Sequence, residues 1–506
     1  MNHLQSLPEV WLEVDGTPLA SADLPALREV RVQQCLSLPT LCELTFANPP
    51  EPLTRVAQLV PGTRLKVRVT EHQEPLFVGQ VTAVEHYYGP ARSHEIRVRS
   101  YDLLHQLRKR QSVRVRVQVN TRDLAQELVT DLGLTVQAAE SGPLWPRLIQ
   151  HRQSDLELLQ EIAARCGLYL TVRRNVLHLL TLQGIGEPLP LALGETLLEA
   201  RVELNTDTIC HSVAATGWDT SRVETHAGQI SQARVGYTQT ARITPASVGT
   251  DGKHMLVNEG VLSDDHATSL AQAELDRRVA REVTIWGMAE GDPRLRPGTT
   301  VVITGVDDAL AERYVLATVI HTIDARHGFI SELSSTPPTP VARARGSIAT
   351  PGVVTQIDDP EKLGRVRVSL STYDNIETDW MGVLSAGAGV GKGLMVLPDI
   401  GDHVLVLLAH EDPAQGIVLG GLYGAKQPPD AGIDGGAVRR YTLLTPGGQR
   451  IRLDDGQHTI RLENSIGSFY ELSPEKVLVH ATTDLEIEAP GQRVVIRGKN
   501  IDFERG

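Results

Sequence analysis

The segment Ala386–Gly393 comes closer than any other to a motif that could do chemistry. It reads Ala-Gly-Ala-Gly-Val-Gly-Lys-Gly, a run in which glycine amides and a lysine could cradle phosphates. The spacing fails, because Ala386 stands where the first glycine of a phosphate loop belongs. Gly393 also stands where Ser or Thr should hold magnesium. We interpret these glycines as shaping a long loop, and no nucleotide or other cofactor is predicted.

The other residues with chemical potential are scattered. The 17 histidines form no H-E-x-x-H pattern, and Asp454-Asp455 is typical of a turn rather than of an acid and a base. The four cysteines have no C-x-x-C spacing: Cys35, Cys42, Cys166 and Cys210. Cys166 is interpreted as a small core residue of a helix. The sequence therefore predicts no catalytic residue and no metal site.

Composition narrows the class of protein. The chain has 506 residues, enough for three or four domains, and a formal net charge of -13 with 4% aromatic residues. That balance is wrong for neutralising phosphates and stacking bases, so nucleic acid is not expected as a partner. No apolar run approaches the ~18 residues of a membrane span, and the N-terminus lacks a basic flank followed by an apolar core. We expect synthesis in a bacterial cytoplasm.

The elements change character along the chain. From Val10 to about Phe329 strand patterns flank three helical patterns, with one β unit before the helices and a second after them. The helices are predicted at Asp123–Leu132, Ser154–Cys166 and Ser263 to about Arg281, and Asp276, Arg277 and Arg281 are expected on a solvated face of the third. A proline-rich linker follows at Thr336–Pro340. From Gly346 to Gly424 about five strands with glycine bends indicate a small barrel of the oligonucleotide/oligosaccharide-binding (OB) type.

The last 66 residues alternate apolar and polar side chains with a period of two, which predicts half-buried strands. Six segments show it: Gln449–Leu453, Thr459–Leu462, Lys476–His480, Asp484–Glu488, Arg493–Arg497 and Asn500–Phe503. We predict that the chain does not fold back on itself here, so that symmetry-related copies cover the apolar face in a closed oligomer. The alternative is a small β-sandwich or a poorly ordered tail.

A family likeness rests on ordered motifs across most of the chain. The barrel segments Gly352–Val366, Pro398–Val406, Asp412-Pro413 and Val418–Tyr423 resemble the spike-base barrel of the VgrG and phage tail-spike family. Upstream, Phe77–Gly79, Arg99–His105, Gln153–Leu159 and Leu295–Gly298 resemble the phage late control D, or baseplate-hub, half of the same proteins.

The resemblance implies a mainly β fold with some α-helix. Its expected parts are a hub domain of two related β-barrels plus helices at 1–335, a linker at 336–346, an OB-fold spike base at 347–424, a linker at 425–440 and a trimeric β-helix needle at 441–506. Three chains would join, and the hub would form a pseudo-sixfold ring. In the needle we expect the trimer core at Ile451, Leu453, Leu485 and Ile487, and contacts to a tip protein at Val494, Ile496, Ile501 and Phe503.

The function implied by the resemblance is structural and not enzymatic. The chain would be the central spike and hub of a phage-tail-like contractile injection system, and would puncture the target membrane when the sheath contracts. Expected partners are two further copies, a hexameric inner-tube protein, a PAAR-type tip protein, baseplate proteins and effector cargo. The particle would be extracellular, with a type VI system or a phage as alternatives. Two other hypotheses stay open: a peptidoglycan hydrolase, and an OB-fold protein that binds saccharide or nucleic acid.

Overall fold

The computed structural model describes residues 9–504 apart from 20–22, 50–57, 71, 73, 237–243, 341–345 and 425–426. The N-terminal residues Met1–Pro8, the end of the proline-rich linker and the start of the second linker therefore lie outside the described residues. The chain forms two units, Met1–Gly421 and Leu422–Gly506. Both are mainly β.

The hub region of the first unit contains 22 strands and three α-helices in the described residues. In chain order they are β1 Val10–Val14, β2 Thr17–Pro18, β3 Leu27–Cys35, β4 Leu41–Ala47, β5 Arg64–Val69, β6 Phe77–Tyr88, β7 His94–Tyr101, β8 Arg114–Val119, α1 Thr121–Val129, β9 Thr135–Ala138, β10 Trp145–Gln150, α2 Asp155–Arg165, β11 Tyr169–Arg173, β12 Val176–Leu180, β13 Ile185–Ala192, β14 Leu197–Leu204, β15 Ser212–Asp219, β16 Glu224–Ile230, β17 Lys253–Glu259, α3 Asp264–Val279, β18 Val283–Glu290, β19 Thr299–Thr304, β20 Arg313–Val315, β21 Thr318–Asp324 and β22 Gly328–Ser334.

One 11-stranded sheet joins the two predicted β units of the hub. Its strand order is β14-β18-β22-β21-β3-β4-β7-β6-β5-β1-β2, so β21 pairs with β3 at its centre. That antiparallel pairing runs from Thr318 opposite Cys35 to Asp324 opposite Glu29. The two units are therefore joined through one continuous sheet. Each half covers a core of its own.

The helices follow the local signals of the sequence. Ser154 caps α2 in a capping box, in which its hydroxyl accepts from Glu157 N while the Glu157 carboxylate accepts from Ser154 N. Cys166 ends α2, is buried and lies 3.4 Å from Thr121 Oγ1, as expected of a core residue. One prediction was wrong: Asp276 of α3 does not lie on a solvated face. It is fully buried and binds Arg234, with Nε 3.0 Å from Oδ2, because residues before β17 pack on that face of α3.

The barrel region closes the first unit with six strands. They are β23 Ile348–Gln356, β24 Arg367–Leu370, β25 Ile376–Glu377, β26 Gly382–Val383, β27 His403–Leu408 and β28 Gly416–Gly421, in the order β25-β24-β23-β27-β28-β26. The core consists mainly of side chains from β24, β27 and their neighbours, with Val404, Val406 and Leu408 completely buried. The glycine-rich Ala386–Gly393 lies in the loop between β26 and β27 and leads into a strand rather than a helix.

The second unit contains the strands β29 Ile433–Asp434, β30 Ala437–Val438, β31 Arg440–Leu444, β32 Arg450–Asp454, β33 Thr459–Glu463, β34 Phe469–Leu472 and β35 Val477–His480. The last five form one antiparallel sheet in chain order. The prediction that the chain does not fold back on itself was therefore wrong. Its turns contain ordinary turn residues, as at Asn464–Ser468, where Asn464 Oδ1 accepts from the amides of Ile466 and Ser468.

Strands were also predicted at 484–488, 493–497 and 500–503, and the structure forms none there. The alternation in these segments is as regular as in β32 and β33. A strand, however, needs a neighbour to accept and donate its backbone hydrogen bonds. In the single chain these residues pair with no strand, and the outer edge of β35 stays open.

Candidate assembly surface

The strongest candidate for a functional site is one face of the five-stranded sheet β31–β35. Two apolar rows cross all five strands on this face, because directly opposite residues of neighbouring strands point to the same side. The first row is Tyr441, Leu453, Ile460, Leu472 and Val477. The second row is Leu443, Ile451, Leu462, Tyr470 and Val479. We call these ten residues the apolar face.

The apolar face is open to solvent in the single chain. Ile451 is 39% exposed, Leu453 44% and Val477 63%, and Leu472 is the most covered member of the set, half-buried. The second row and Leu485 line a concavity of about 570 Å³. Water-soluble chains rarely leave a continuous apolar surface of this kind uncovered, so the face has the character of an interface.

The opposite face of the same sheet is polar and internally paired. Arg461 makes 3.0 Å ion pairs with both Glu463 and Glu471, and its guanidinium lies 3.8 Å from the centre of the Phe469 ring. At the start of the sheet Arg440 and Thr442 both bind the Asp430 carboxylate. The hydrogen bond from Arg440 is the main cause that holds the pKa of Asp430 well below its usual range. One face is thus completed by its own chain and the other is not.

The residues predicted for the needle divide into three groups in the structure. Ile451 and Leu453 belong to the apolar face, and Leu485 lines its concavity. Ile487 and the four predicted tip residues lie beyond β35 and are exposed, with Phe503 91% exposed. Sequence reasoning missed four members of the face, Tyr441, Leu443, Tyr470 and Leu472. The signal that could have found them is the register fixed by the turns, such as Thr445–Gln449, which sets Leu443 opposite Ile451.

The structure offers little else that resembles a catalytic or metal centre. Among the described residues, no group of three or more His, Cys, Asp or Glu side chains is placed to hold a metal ion. Over the same part of the chain, no helix is both long and apolar enough to cross a membrane.

Comparison with known proteins assigns the fold to a class. The chain is a VgrG-like baseplate hub: residues 350–423 match the family described as the type VI secretion system/phage-baseplate injector OB domain. Residues 49–325, more than half of the chain, match a second family, so the chain belongs to the family of the Alg8 N-terminal domain. The role of the injector OB family and of VgrG-type proteins is that of a structural spike and hub.

Individual relatives agree with this class. Over 131 residues the chain is 32% identical to the type VI secretion system spike protein VgrG4b of Pseudomonas aeruginosa, a region that is 24% of this chain and only 15% of VgrG4b. The Escherichia coli type VI component c3393 has a similar fold, with a TM-score of 0.56 at 12% identity over 81% of this chain and 99% of that one. The Francisella PdpA-VgrG complex gives a TM-score of 0.56 at 9% identity over 94% of this chain and 80% of that one. These confirm the mainly β hub and spike fold.

Proposed function

We propose that three copies of this chain form the central hub and spike of a contractile injection system. The apolar face of β31–β35 carries the proposal, because ten side chains on one face of a sheet are left for something else to cover. Two further copies supply the same face in the same register, and a closed oligomer also removes the free edge at β35. The number three comes from the resemblance to the VgrG and phage tail-spike family.

The free energy available at this face is large enough to hold chains together. Burying a Leu, Ile or Val side chain completely is worth about 1.5–3 kcal/mol. Ten side chains that are on average about half exposed therefore leave on the order of 10 kcal/mol per chain for association. Each association step costs about 4–15 kcal/mol in lost freedom of motion, and a trimer needs two steps. The three faces of a trimer together gain about three times the value for one chain, which exceeds the cost of two steps when each step lies in the middle of that range.

The segments beyond β35 extend the same argument to the needle. Residues 484–488 and 493–497 have the alternation of strands without a neighbour in their own chain. In the trimer they would pair with the equivalent segments of the other copies, with Leu485 and Ile487 facing inwards. Val494, Ile496, Ile501 and Phe503 would then meet a PAAR-type tip protein. The Francisella relative was solved as a complex of VgrG with PdpA, which supports a spike of this kind as a carrier of another protein.

In the working particle the hub would cap a hexameric inner tube, contact baseplate proteins and carry effector cargo. The spike would puncture the target membrane as the sheath contracts. We place synthesis in the bacterial cytoplasm and assembly in a phage-tail-like particle released outside the cell. The mainly β hub with its 11-stranded sheet supports the role as a hub. The polar, paired face of β31–β35 supports the role as a spike, because it would form the outer surface of the spike.

The test is the native mass of the full-length chain, with one variant on each face of the sheet. Ile451→Gln with Leu462→Gln places two amides on the apolar face, while Arg450→Gln with Thr459→Gln makes changes on the same strands but on the polar face. We expect an SDS-resistant trimer for the natural chain and the polar-face variant, and loss of the trimer for the apolar-face variant. A monomeric natural chain, or equal behaviour of both variants, would overturn the proposal.

A further inference from the structure

Three arginines of the hub region reach the barrel region at three separate points. We infer that Arg147, Arg152 and Arg222 form a clamp that makes the hub and the barrel move as one rigid body. The clamp lies within the unit Met1–Gly421 and does not depend on the trimer. Its effect is mechanical: the barrel keeps a fixed orientation relative to the hub because the joint between them does not bend.

The first contact is a chain of four alternating charges. Arg222 Nη2 lies 2.9 and 3.0 Å from the two carboxylate oxygens of Glu361 in the barrel. Glu361 also binds Arg365, which makes a two-pronged pair with Asp359 at 2.8 and 2.9 Å. The side chains of Arg365 and Asp359 are only 5% and 3% exposed, so the barrel end of this chain is fixed in its core.

The hub end of the same contact is fixed as well. Arg222 lies in the turn between β15 and β16, and Asp219 organises that turn. Asp219 Oδ1 accepts hydrogen bonds from the amide and the hydroxyl of Ser221, both at 2.7 Å, and from the amide of Arg222. Because Asp219 and Thr220 are buried, the guanidinium projects from a rigid turn rather than from a mobile loop.

The second and third contacts come from β10 and from the residues just after it. Arg147 Nη2 donates to the Glu377 carbonyl of β25 at 2.7 Å. Burial lowers the pKa of Arg147, as expected for a guanidinium drawn into a joint. Arg152 lies 3.6 Å from Glu411 and 5.9 Å from the centre of the Tyr373 ring. The imidazole of His151 meets the same ring edge-on at 5.6 Å.

Three contacts on three elements of each region restrict rotation about any line through two of them. The surfaces between the contacts are also tightly packed. The cavity bounded by Trp145 and Leu158 of the hub and Ala414 and Gln415 of the barrel measures about 20 Å³, close to the room needed by one water molecule. A joint designed to bend would need more free volume or fewer fixed contacts.

The Arg222 contact of the clamp should persist into acid. The hydrogen bond from Arg365 is the main cause that holds the pKa of Glu361 below its usual value, and the same arginine holds that of Asp359 far below it. Both carboxylates therefore stay ionised well into acid. The pairs of Arg222 with Glu361 and of Arg152 with Glu411 are both about half exposed, so salt should weaken these two contacts before it weakens that of Arg147.

The experiment measures the distance distribution between two spin labels in the full-length chain. Lys253→Cys places one label on β17 of the hub and Ser371→Cys places the other on the barrel, both at exposed positions, in a background with Cys35→Ser. Dilution with unlabelled chain confines the signal to one copy. We expect a single narrow distribution for the otherwise natural chain. Arg147→Ala, Arg152→Ala and Arg222→Ala together should widen it at least twofold.

The matched control removes three hub arginines whose ion pairs lie away from the joint: Arg97, Arg201 and Arg294. It should leave the width unchanged. Equal widths in the clamp variant, the control and the natural chain would overturn the inference, as would an equal widening in both variants. If circular dichroism shows that the triple variant loses its fold, the single variant Arg222→Ala tests the inference in its place. The pair of Arg222 with Glu361 is exposed and not needed for folding, so this variant should widen the distance distribution, but by less than the triple variant. Adding 0.5 M salt to the natural chain should have a similar, smaller effect.

Discussion

The barrel at Ile348–Gly421 and the sheet at Arg440–His480 read alike in sequence but bury their apolar residues differently. In the barrel Val404, Val406 and Leu408 alternate along β27 and are completely buried. In the sheet Ile451 and Leu453 alternate along β32 in the same way and stay about 40% exposed. The barrel curls until its own strands cover the core, whereas the sheet leaves one apolar face open to solvent.

This difference shows what a period-two pattern determines. Alternation fixes which side chains share a face, because successive residues of a strand point to opposite sides. It does not fix what covers that face. That depends on whether the strands close on themselves, as in the barrel, where the bridge between Val366 and Met381 joins the segment before β24 to the segment before β26. The two regions therefore differ in how their strands are connected and paired, and not in the pattern of their apolar residues.

The largest contrast should come from removing one carboxylate from an arginine pair in each region. Asp359→Ala removes the two-pronged partner of the buried Arg365, which keeps only its single bond to Glu361, and should lower the free energy of unfolding of the barrel by about 3 kcal/mol. Asp430→Ala removes the partner of Arg440 in a pair that water reaches, and should cost clearly less than the change in the barrel. Hydrogen exchange of the full-length chain measures both. Equal losses in the two regions would contradict the distinction drawn here.

The pH dependence of the same pairs provides a control. The hydrogen bonds from Arg365 and Arg440 hold the pKa of Asp359 and of Asp430 well below their usual values. A lowered pKa in the folded state gives stability that is present above the unfolded pKa, about 3.9, and is lost as the pH falls below it. The natural chain should therefore show no loss from these pairs between pH 7 and pH 5. Below about pH 4 its difference from the Asp359→Ala variant should shrink.

A smaller contrast comes from the same truncation in each region. Val406→Ala empties part of the closed barrel core and should cost about 2 kcal/mol at every protein concentration. Val479 is 54% exposed in the single chain, so Val479→Ala should leave hydrogen exchange in the barrel unchanged. If the proposed trimer forms, this variant should instead dissociate at a higher protein concentration than the natural chain. Sedimentation over a hundredfold range of concentration measures this.

The sequence predicted what is local and missed what is distant. The α2 capping box and the strands of the barrel core follow from neighbouring residues, and the structure contains them. The pairing of β3 with β21 joins residues almost 300 positions apart and leaves no local signal. Asp276 was placed on a solvated face because helical spacing cannot show that Arg234 folds back onto it.

The candidate site shows the same limit. Alternation placed Ile451 and Leu453 on one face, yet four members of that face went unnoticed because their membership depends on strand register. The strands predicted after His480 had the right pattern and no partner in their own chain. Alternation shows that a segment could form a strand, but it does not show which segment would pair with it, so the residues after His480 are the part of the fold that the sequence predicts least well.

The smallest effect concerns one turn glycine in each region. Gly401 before β27 and Gly448 before β32 both have left-handed backbone, with φ of 86° and 85°. Alanine in this conformation costs about 1 kcal/mol whatever the surroundings. A methyl group at Gly401 meets no atom within 4 Å, whereas at Gly448 it lies 3.2 Å from Ser465 Cβ. Gly401→Ala should therefore lower the stability of the barrel by that amount, and Gly448→Ala should cost the sheet slightly more. If removing the Ser465 side chain with Ser465→Gly does not reduce the excess at Gly448, the crowding seen in that turn is not its cause.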